Sequence, residues 1–415
     1  MTMIIKRDYY LQQLISSKSN NLIKIVTGIR RSGKSFLLFN LFHNHLIETG
    51  VSEDHIIEIA LDDRLNKNLR DPDAILQHIH ERIVDDKLYY IILDEVQMID
   101  EFTDVLNSLL HIRNADVYVT GSNSKFLSKD VVTEFRGRGD EIHLFPLSFA
   151  ELYNSIGGDK FELWKSYYTY GGLPGILELD SEKKKAAYLR SLHETVYLKD
   201  IIERNNLKNS EEFMELMRVM ASCIGSPCNP SKLENTFKSV KNETLDRKTI
   251  SKYLSYMEDA FLIEKSMRYD IKGRKYIGTL SKYYFQDIGL RNALLNFRQV
   301  EENHIMENVI YNELRLRGFC VDVGMVEART AKERKQLEVD FVANMADRRY
   351  YIQSAFAMPD DDKREQESAS LKRIDDSFKK IIIMRDDIKP YHDNNGFYIV
   401  GLMDFLLKPD LIEQL

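Results

Sequence analysis

Apolar positions recur at helical spacing along residues 3–20 (Ile5, Tyr9, Leu11, Leu14, Ile15), and a polar SSKSNN turn closes the segment. The run that follows, Leu22-Ile23-Lys24-Ile25-Val26, is short and rich in β-branched residues, which predicts a buried strand. Similar runs at 55–63, 89–95, 115–122 and 141–148 predict four more strands, and helical spacing at 35–47, 73–86 and 102–112 fills the gaps. Strands that alternate with helices imply right-handed βαβ crossovers and a mostly parallel sheet. From about 150 to 225 the pattern becomes helical with few strand signals, until GSPCNP at 225–230 breaks it with one glycine and two prolines. Helices at 231–241 and 247–259 follow, then a hairpin of 261–270 and 274–278 turning at Lys272-Gly273. A helix at 304–317 and the strands VDVG, EVDFVAN, YYIQSAF and KKIIIMR complete the chain.

With 415 residues, 43% hydrophobic and 30% charged, the sequence has material for more than one buried core. Its 8 prolines and 19 glycines exclude a collagen-like or linker-dominated protein. The net charge of −7 is too balanced for a protein that coats nucleic acid along its whole length or for a disordered acidic one. Cys223, Cys228 and Cys320 form no CxxC pair and no disulfide framework, as suits a reducing compartment. No run approaches the ~18 apolar residues of a membrane-spanning helix, and the N-terminus lacks the pattern of a secretory signal. The expectation is a cytoplasmic protein without a membrane partner. His43 and His45, like His78 and His80, stand two apart on predicted helices, so neither pair chelates a metal.

The chemistry lies at 28–35, GIRRSGKS, which matches GxxxxGK[ST] between a buried strand and an apolar helix. Glycines Gly28 and Gly33 let the backbone of Ile29, Arg30, Arg31 and Ser32 wrap its N–H groups around phosphate oxygens, at a helix N-terminus that begins with Lys34, Ser35 and Phe36. Lys34 would reach the β- and γ-phosphates of ATP, and Ser35 would offer its hydroxyl to Mg²⁺. YYIILDEVQ supplies the second half: Asp94 ends a strand as a carboxylate for Mg²⁺, and Glu95 follows where a general base for water would sit. An Asp-Glu pair that merely caps the next helix is the competing reading of those two residues. The next strand ends VTGSNS, so Thr120, Ser122, Asn123 and Ser124 would lie beside Asp94 if the two strands are neighbours. Arg136 and Arg138 are candidates to neutralise γ-phosphate charge, in this subunit or from a neighbour. Arg7 and Tyr10, ahead of the first strand, are candidates for an adenine contact.

IVTGIRRSGKS, LDEVQ, TGSNSKFLS, a GR turn before LFPLSFAEL, YGGLP and KDIIERN occur here in an order that resembles one group of bacterial and archaeal ATPases. ISKYLSYMEDAFLIEKSMRYDIKGRKY, KYYFQDIGLRNALL and ENVIYNELRLRGFCVDVG continue the match over nearly the whole chain. The resemblance implies an AAA+-like first domain, a winged-helix-like middle and a C-terminal domain of uncharacterised role. It also implies ATP and Mg²⁺ as cofactors, ATP hydrolysis with Lys34, Ser35, Asp94 and Glu95 in the roles above, and assembly into rings.

The expected fold is therefore α/β: a P-loop NTPase (AAA+-like) parallel sheet over 1–150, a helical lid or connector over 151–225, a winged-helix-like domain over 226–300, and a C-terminal α/β domain over 301–415. Residues 231–285 carry 12 Lys and Arg against 7 Asp and Glu, which makes DNA a candidate partner there, with Thr249–Glu258 as recognition helix and Lys272, Arg274 and Lys275 at the wing. In the last domain, Glu307 on a helix and Asp340 on a strand resemble the core of restriction-endonuclease-like folds. Gln353-Ser354-Ala355 then stands where Glu-x-Lys belongs, so a degenerate nuclease is expected unless Lys332, Lys335 or Lys363 supplies the amine. The leading function is Mg²⁺-dependent ATP hydrolysis coupled to DNA or a protein partner. An ATP-gated switch with negligible turnover and an ATP-dependent DNA nuclease are the alternatives.

Overall fold

Buried strands need partners for every polar group they carry, and β1 (Ile23–Thr27) shows how this chain provides them. It is buried at all positions, Lys24 included. The Lys24 ammonium lies on Asp116 and donates to the Leu22 carbonyl at 2.9 Å. Asp116 in turn accepts from the Ser19 amide and the Tyr118 hydroxyl. The computed structural model that shows this describes residues 4–121, 138–241, 245–329 and 334–414. Two units emerge from it: Met1–Pro146 with Asp259–Phe261, and Leu147–Glu258 with Leu262–Leu415.

The first unit holds a five-stranded sheet in the order β2-β3-β4-β1-β5, with β2 at Ile56–Ala60, β3 at Tyr89–Asp94, β4 at Ala115–Thr120 and β5 at Gly139–His143. Every pairing is parallel. Helix α1 (Asp8–Ser16), α2 (34–48), α3 (Pro72–Arg82) and α4 (Phe102–Leu109) are the connecting layers. Ile25, Ile91, Leu93 and Val117 on one face pack with Ile75, Val105 and Leu106. Val26, Tyr90, Ile92 and Tyr118 on the other face pack with Leu14, Leu37 and Leu38. The expected strand 141–148 is shorter: Leu144 still donates to Thr27 at 2.8 Å, but Pro146 has no N–H with which to continue the ladder.

The second unit begins at α5 (Phe149–Ile156), started by a capping box in which Ser148 and Glu151 bond each other's amides. Two of the motifs quoted above meet here. The carboxylate of Asp287 accepts from the amides of Gly172 and Leu290, both at 2.8 Å. A Cβ on Gly289 would come within 2.0 Å of the Tyr170 carbonyl oxygen, so YGGLP and FQDIGL pack backbone to backbone. Burial raises the Asp287 pKa to about 6.

An eight-stranded sheet fills the rest, in the order β12-β13-β11-β10-β9-β8-β6-β7. Its strands are β6 (Ile263–Asp270), β7 (Lys275–Phe285), β8 (Cys320–Arg329), β9 (Arg334–Met345), β10 (Arg348–Ala355), β11 (Lys379–Met384), β12 (Tyr391–His392) and β13 (Tyr398–Gly401). The hairpin read from sequence as a wing is thus the outer pair of this sheet, joined to it by parallel pairing of β6 with β8. The presumed recognition helix, α6 (Arg247–Asp259), buries Ile250, Tyr253, Leu254, Tyr256 and Met257 and exposes Lys248 and Lys252. Much of the basic charge in this region is already committed. Arg268 and Lys282 are buried, Lys238 and Arg247 pair with Glu234, and Lys232 donates to the Pro227 carbonyl. Lys248, Lys252, Lys265, Lys272, Arg274 and Lys275 remain on the surface.

Candidate functional site

The loop between β1 and α2 is shaped by positive φ angles, at Gly28 (137°), Arg31 (65°) and Gly33 (98°). Gly28 has no alternative: a Cβ there would lie 2.2 Å from the Leu144 carbonyl oxygen. Lys34, at the first turn of α2, is buried and donates to the carbonyls of Gly28 (3.0 Å) and Ile29 (3.2 Å). Burial lowers its pKa, opposed by the charges of Glu95 and Asp94. Ile29 and Ser32 are buried, whereas Arg31, Ser35 and Phe36 are exposed. The Ser32 hydroxyl is enclosed with no hydrogen-bond partner among the described residues.

Because β4 lies between β1 and β3, Thr120 at the end of β4 is set beside Asp94 at the end of β3. The Thr120 hydroxyl donates to Asp94 and accepts from the Glu95 amide at 2.9 Å. Ser35 also bonds the Asp94 carboxylate, so one carboxylate ties the P-loop helix to two strands. Burial raises the pKa of Asp94, and the bonds from Thr120 and Ser35 oppose that rise. Glu95 leaves the strand with φ 53°, and its carboxylate accepts from the Gln97 side-chain amide.

A nucleotide with its metal fits this donor set. The glycine at 28 leaves a cradle that a side chain would fill, Lys34 donates to two loop carbonyls, and Ser35 and Asp94 are a hydroxyl and a carboxylate already in contact.

Arg138 is not part of this arrangement in the same chain. Its carbonyl accepts from Ile23, at the start of β1, whereas the P-loop follows the end of that strand. Ser122, Asn123, Ser124 and Arg136 lie outside the described residues, as does Lys332. Arg7 and Tyr10 are both buried at the first turn of α1, where they hold backbone groups instead of standing open to a base. His43 pairs with Glu58 at 2.9 Å.

A second cluster lies in the C-terminal sheet. Lys282 on β7, 3% exposed, places its ammonium 2.8 Å from Glu307, 2.7 Å from Glu338 and 3.7 Å from Asp340. Glu307 sits on α7 (Glu302–Leu316) and also accepts from the Tyr284 hydroxyl at 2.8 Å. Asp340 accepts from the Gln353 amide (2.7 Å) and the Ser354 N–H (2.8 Å). Burial raises its pKa to about 8, with the Glu307 charge adding to the rise and Lys282 opposing it. Lys335 lies exposed on β9 and Lys363 pairs with Glu367 at 2.8 Å; the ammonium beside Asp340 is that of Lys282, on β7. The signal for Lys282 was its place two residues before the buried Tyr284 in KYYF, a lysine on the inward face of a strand.

Residues 20–153 match the family model described as an AAA domain, and 161–301 match a domain of unknown function (DUF8612). An uncharacterized protein of Haemophilus influenzae is 33% identical over 414 residues, covering 98% of this chain and 99% of its own length. The chain belongs to that protein's family. The uncharacterized protein MJ1544 of Methanocaldococcus jannaschii is 29% identical over 391 residues, covering 90% of this chain and 82% of its own. The Aeropyrum pernix Orc1 protein, solved in complex with DNA, aligns at 12% identity and TM-score 0.30 over 71% of this chain and 93% of that one. In this AAA-domain family the five-stranded parallel sheet of the first unit has the AAA+ P-loop NTPase fold, followed by a region that includes a mixed sheet. Among the described residues no helix is long and apolar enough to cross a membrane.

Proposed function

We propose that this chain binds Mg²⁺-ATP at the 28–35 loop and hydrolyses it, as an AAA+ ATPase whose work is directed at DNA or a protein partner. The observation that carries the reading is the string Ser35–Asp94–Thr120–Glu95, in which each member is hydrogen-bonded to the next beside the P-loop. Lys34 would leave the Gly28 and Ile29 carbonyls to meet the β- and γ-phosphates, and the inward N–H groups of 29–35 would surround them. Ser35 and Asp94 would hold the metal, which supplies charge neutralisation at the phosphates. Glu95 would accept the proton of the attacking water, with Thr120 fixing its backbone. Arg138, exposed at the far end of the sheet, would act only from a neighbouring copy.

One observation favours a slower, switch-like protein: the Gln97 amide already occupies the Glu95 carboxylate. Steady-state hydrolysis with Mg²⁺, with and without duplex DNA, tests the proposal against Lys34→Ala as background. Turnover above that background supports hydrolysis, and stimulation by DNA identifies the partner class. ATP affinity and turnover equal to those of Lys34→Ala would remove the reading. Tight Lys34-dependent binding with background turnover would select the switch.

A further inference from the structure

Arg7 stands at the N-cap of α1, and its carbonyl accepts the first helical bond from Leu11 at 2.9 Å. An arginine at such a place is ordinarily solvated, yet this one is 5% exposed. Its guanidinium donates to two carbonyls remote in sequence: Ser32 in the P-loop at 3.3 Å, and Phe145 beyond β5 at 2.7 Å. The cation lies 4.7 Å from the centre of the Tyr10 ring, and the Tyr10 hydroxyl accepts from the Phe145 N–H at 3.2 Å. Arg7 and Tyr10 therefore grip both polar groups of Phe145, one residue before the unit ends at Pro146.

The bond to Ser32 has a consequence for the loop. The Ser32–Gly33 peptide is trans, so its C=O and N–H point in opposite directions. A guanidinium that holds the Ser32 oxygen towards α1 fixes the Gly33 N–H away from α1. The rest of the loop is held differently: Lys34 satisfies Gly28 and Ile29, and those bonds are lost when Lys34 turns to an anion. The Ser32 carbonyl is held from outside the loop, by a bond in which Lys34 has no part.

We infer that Arg7 is a positioning residue of the P-loop, which by holding the Ser32 carbonyl presents the Gly33 N–H to a bound phosphate and makes nucleotide affinity depend on the N-terminal segment. The inference rests on the ATP reading for its ligand, but the orientation of the loop is testable without nucleotide. Lysine is a partial replacement: an ammonium reaches one of the two carbonyls, whereas the planar fork of arginine serves both.

Hydrogen exchange of the 29–35 amides in the nucleotide-free protein and titration with Mg²⁺-ATP would be compared in wild type, Arg7→Ala, Arg7→Lys and Leu14→Ala. Leu14 is a fully buried core residue of the same helix, so its variant loosens α1 without touching the loop. Arg7→Ala is expected to speed exchange across 29–35 and to raise the dissociation constant for Mg²⁺-ATP by about tenfold or more. Arg7→Lys should recover part of both, and Leu14→Ala should lower thermal stability while leaving both near wild type. If Arg7→Ala changes neither readout, or Leu14→Ala changes them as much, the residue is only structural and the inference falls. A wild type that binds no Mg²⁺-ATP, with exchange still faster in Arg7→Ala alone, overturns the ATP reading and supports the positioning role.

Discussion

Replacing Lys282 with methionine is the most informative perturbation of the C-terminal sheet, because the side chain keeps its volume and loses only its charge. The 3% exposed ammonium is shared by Glu307, Glu338 and Asp340, whose side chains are 14%, 30% and 11% exposed. Removing this cation leaves one buried carboxylate, Asp340, and two partly buried ones uncompensated, where breaking a fully buried pair costs about 3–5 kcal/mol. Asp340 limits that loss. Burial already raises its pKa to about 8, so it can stay protonated near neutrality and shed part of the repulsion. We therefore expect the lower end, about 3 kcal/mol, which for a unit of this size lowers Tm by roughly 6–10 °C. The sign of the pH dependence follows from proton binding. Folded Asp340, with its raised pKa, holds a proton that the unfolded chain has released between about pH 4 and 8, so stability falls as pH rises through that window in wild type and variant alike. Removing Lys282, which opposes the rise, moves Asp340 higher still, so the variant's deficit against wild type is steady between about pH 5 and 7 and widens only above about pH 8. Trp164, the single tryptophan, gives the signal: it is buried against α7 and donates to Glu302 at 2.7 Å, so urea unfolding followed by its fluorescence reads this unit. A second substitution, Glu307→Gln, removes one stranded charge and should return at least about 1 kcal/mol to Lys282→Met while costing the wild type stability. A deficit under about 0.5 kcal/mol, or additive effects of the two substitutions, would refute the ion-pair account.

Three further outcomes are expected. Thr120→Val removes the hydroxyl that joins Asp94 to the Glu95 amide, and should lower ATP turnover by at least about tenfold with a smaller change in ATP binding, separable by steady-state kinetics and direct titration. Gly28→Ala forces a Cβ to 2.2 Å from the Leu144 carbonyl at a φ of 137°, and should destabilise the first unit by about 3 kcal/mol or more in a thermal melt. His193 is buried in a helix near Arg218, and burial lowers its pKa to about 4. Since the unfolded chain takes up that proton first as pH falls, wild type should lose about 3 kcal/mol between pH 6.5 and 4 through this group. His193→Gln should flatten that part of the stability-pH curve, and an unchanged slope would clear His193.

The parts of this protein that were legible in its sequence are those where chemistry and local backbone coincide. A P-loop needs glycine at positive φ, a lysine and a hydroxyl within one turn, so GIRRSGKS states its own geometry. The central strands β1 and β3 are equally explicit, being buried on both faces and rich in apolar residues. What local pattern does not carry is which strand lies beside which. Placing Thr120 against Asp94 required β4 to enter between β1 and β3, a non-local choice. The hairpin at 263–285 has the same alternation whether it stands alone as a wing or closes a sheet, and only pairing with Val323–Met325, some 55 residues later, decides between them. Lys282 follows from that pairing. It reaches Asp340 from another strand, which spacing along β10 cannot show, and β7 delivers it only once β6 has docked on β8. The net basic charge of the 231–285 window shrinks for a related reason. The excess of Lys and Arg over 231–285 counts Arg268 and Lys282 as surface charge, while folding turns both inward and spends them on Gln336 and on the carboxylate cluster. Charge in a window becomes an argument about DNA only after burial is known, and here Lys232, Lys238, Arg247, Lys248, Lys252, Lys265, Lys272, Arg274 and Lys275 stay exposed.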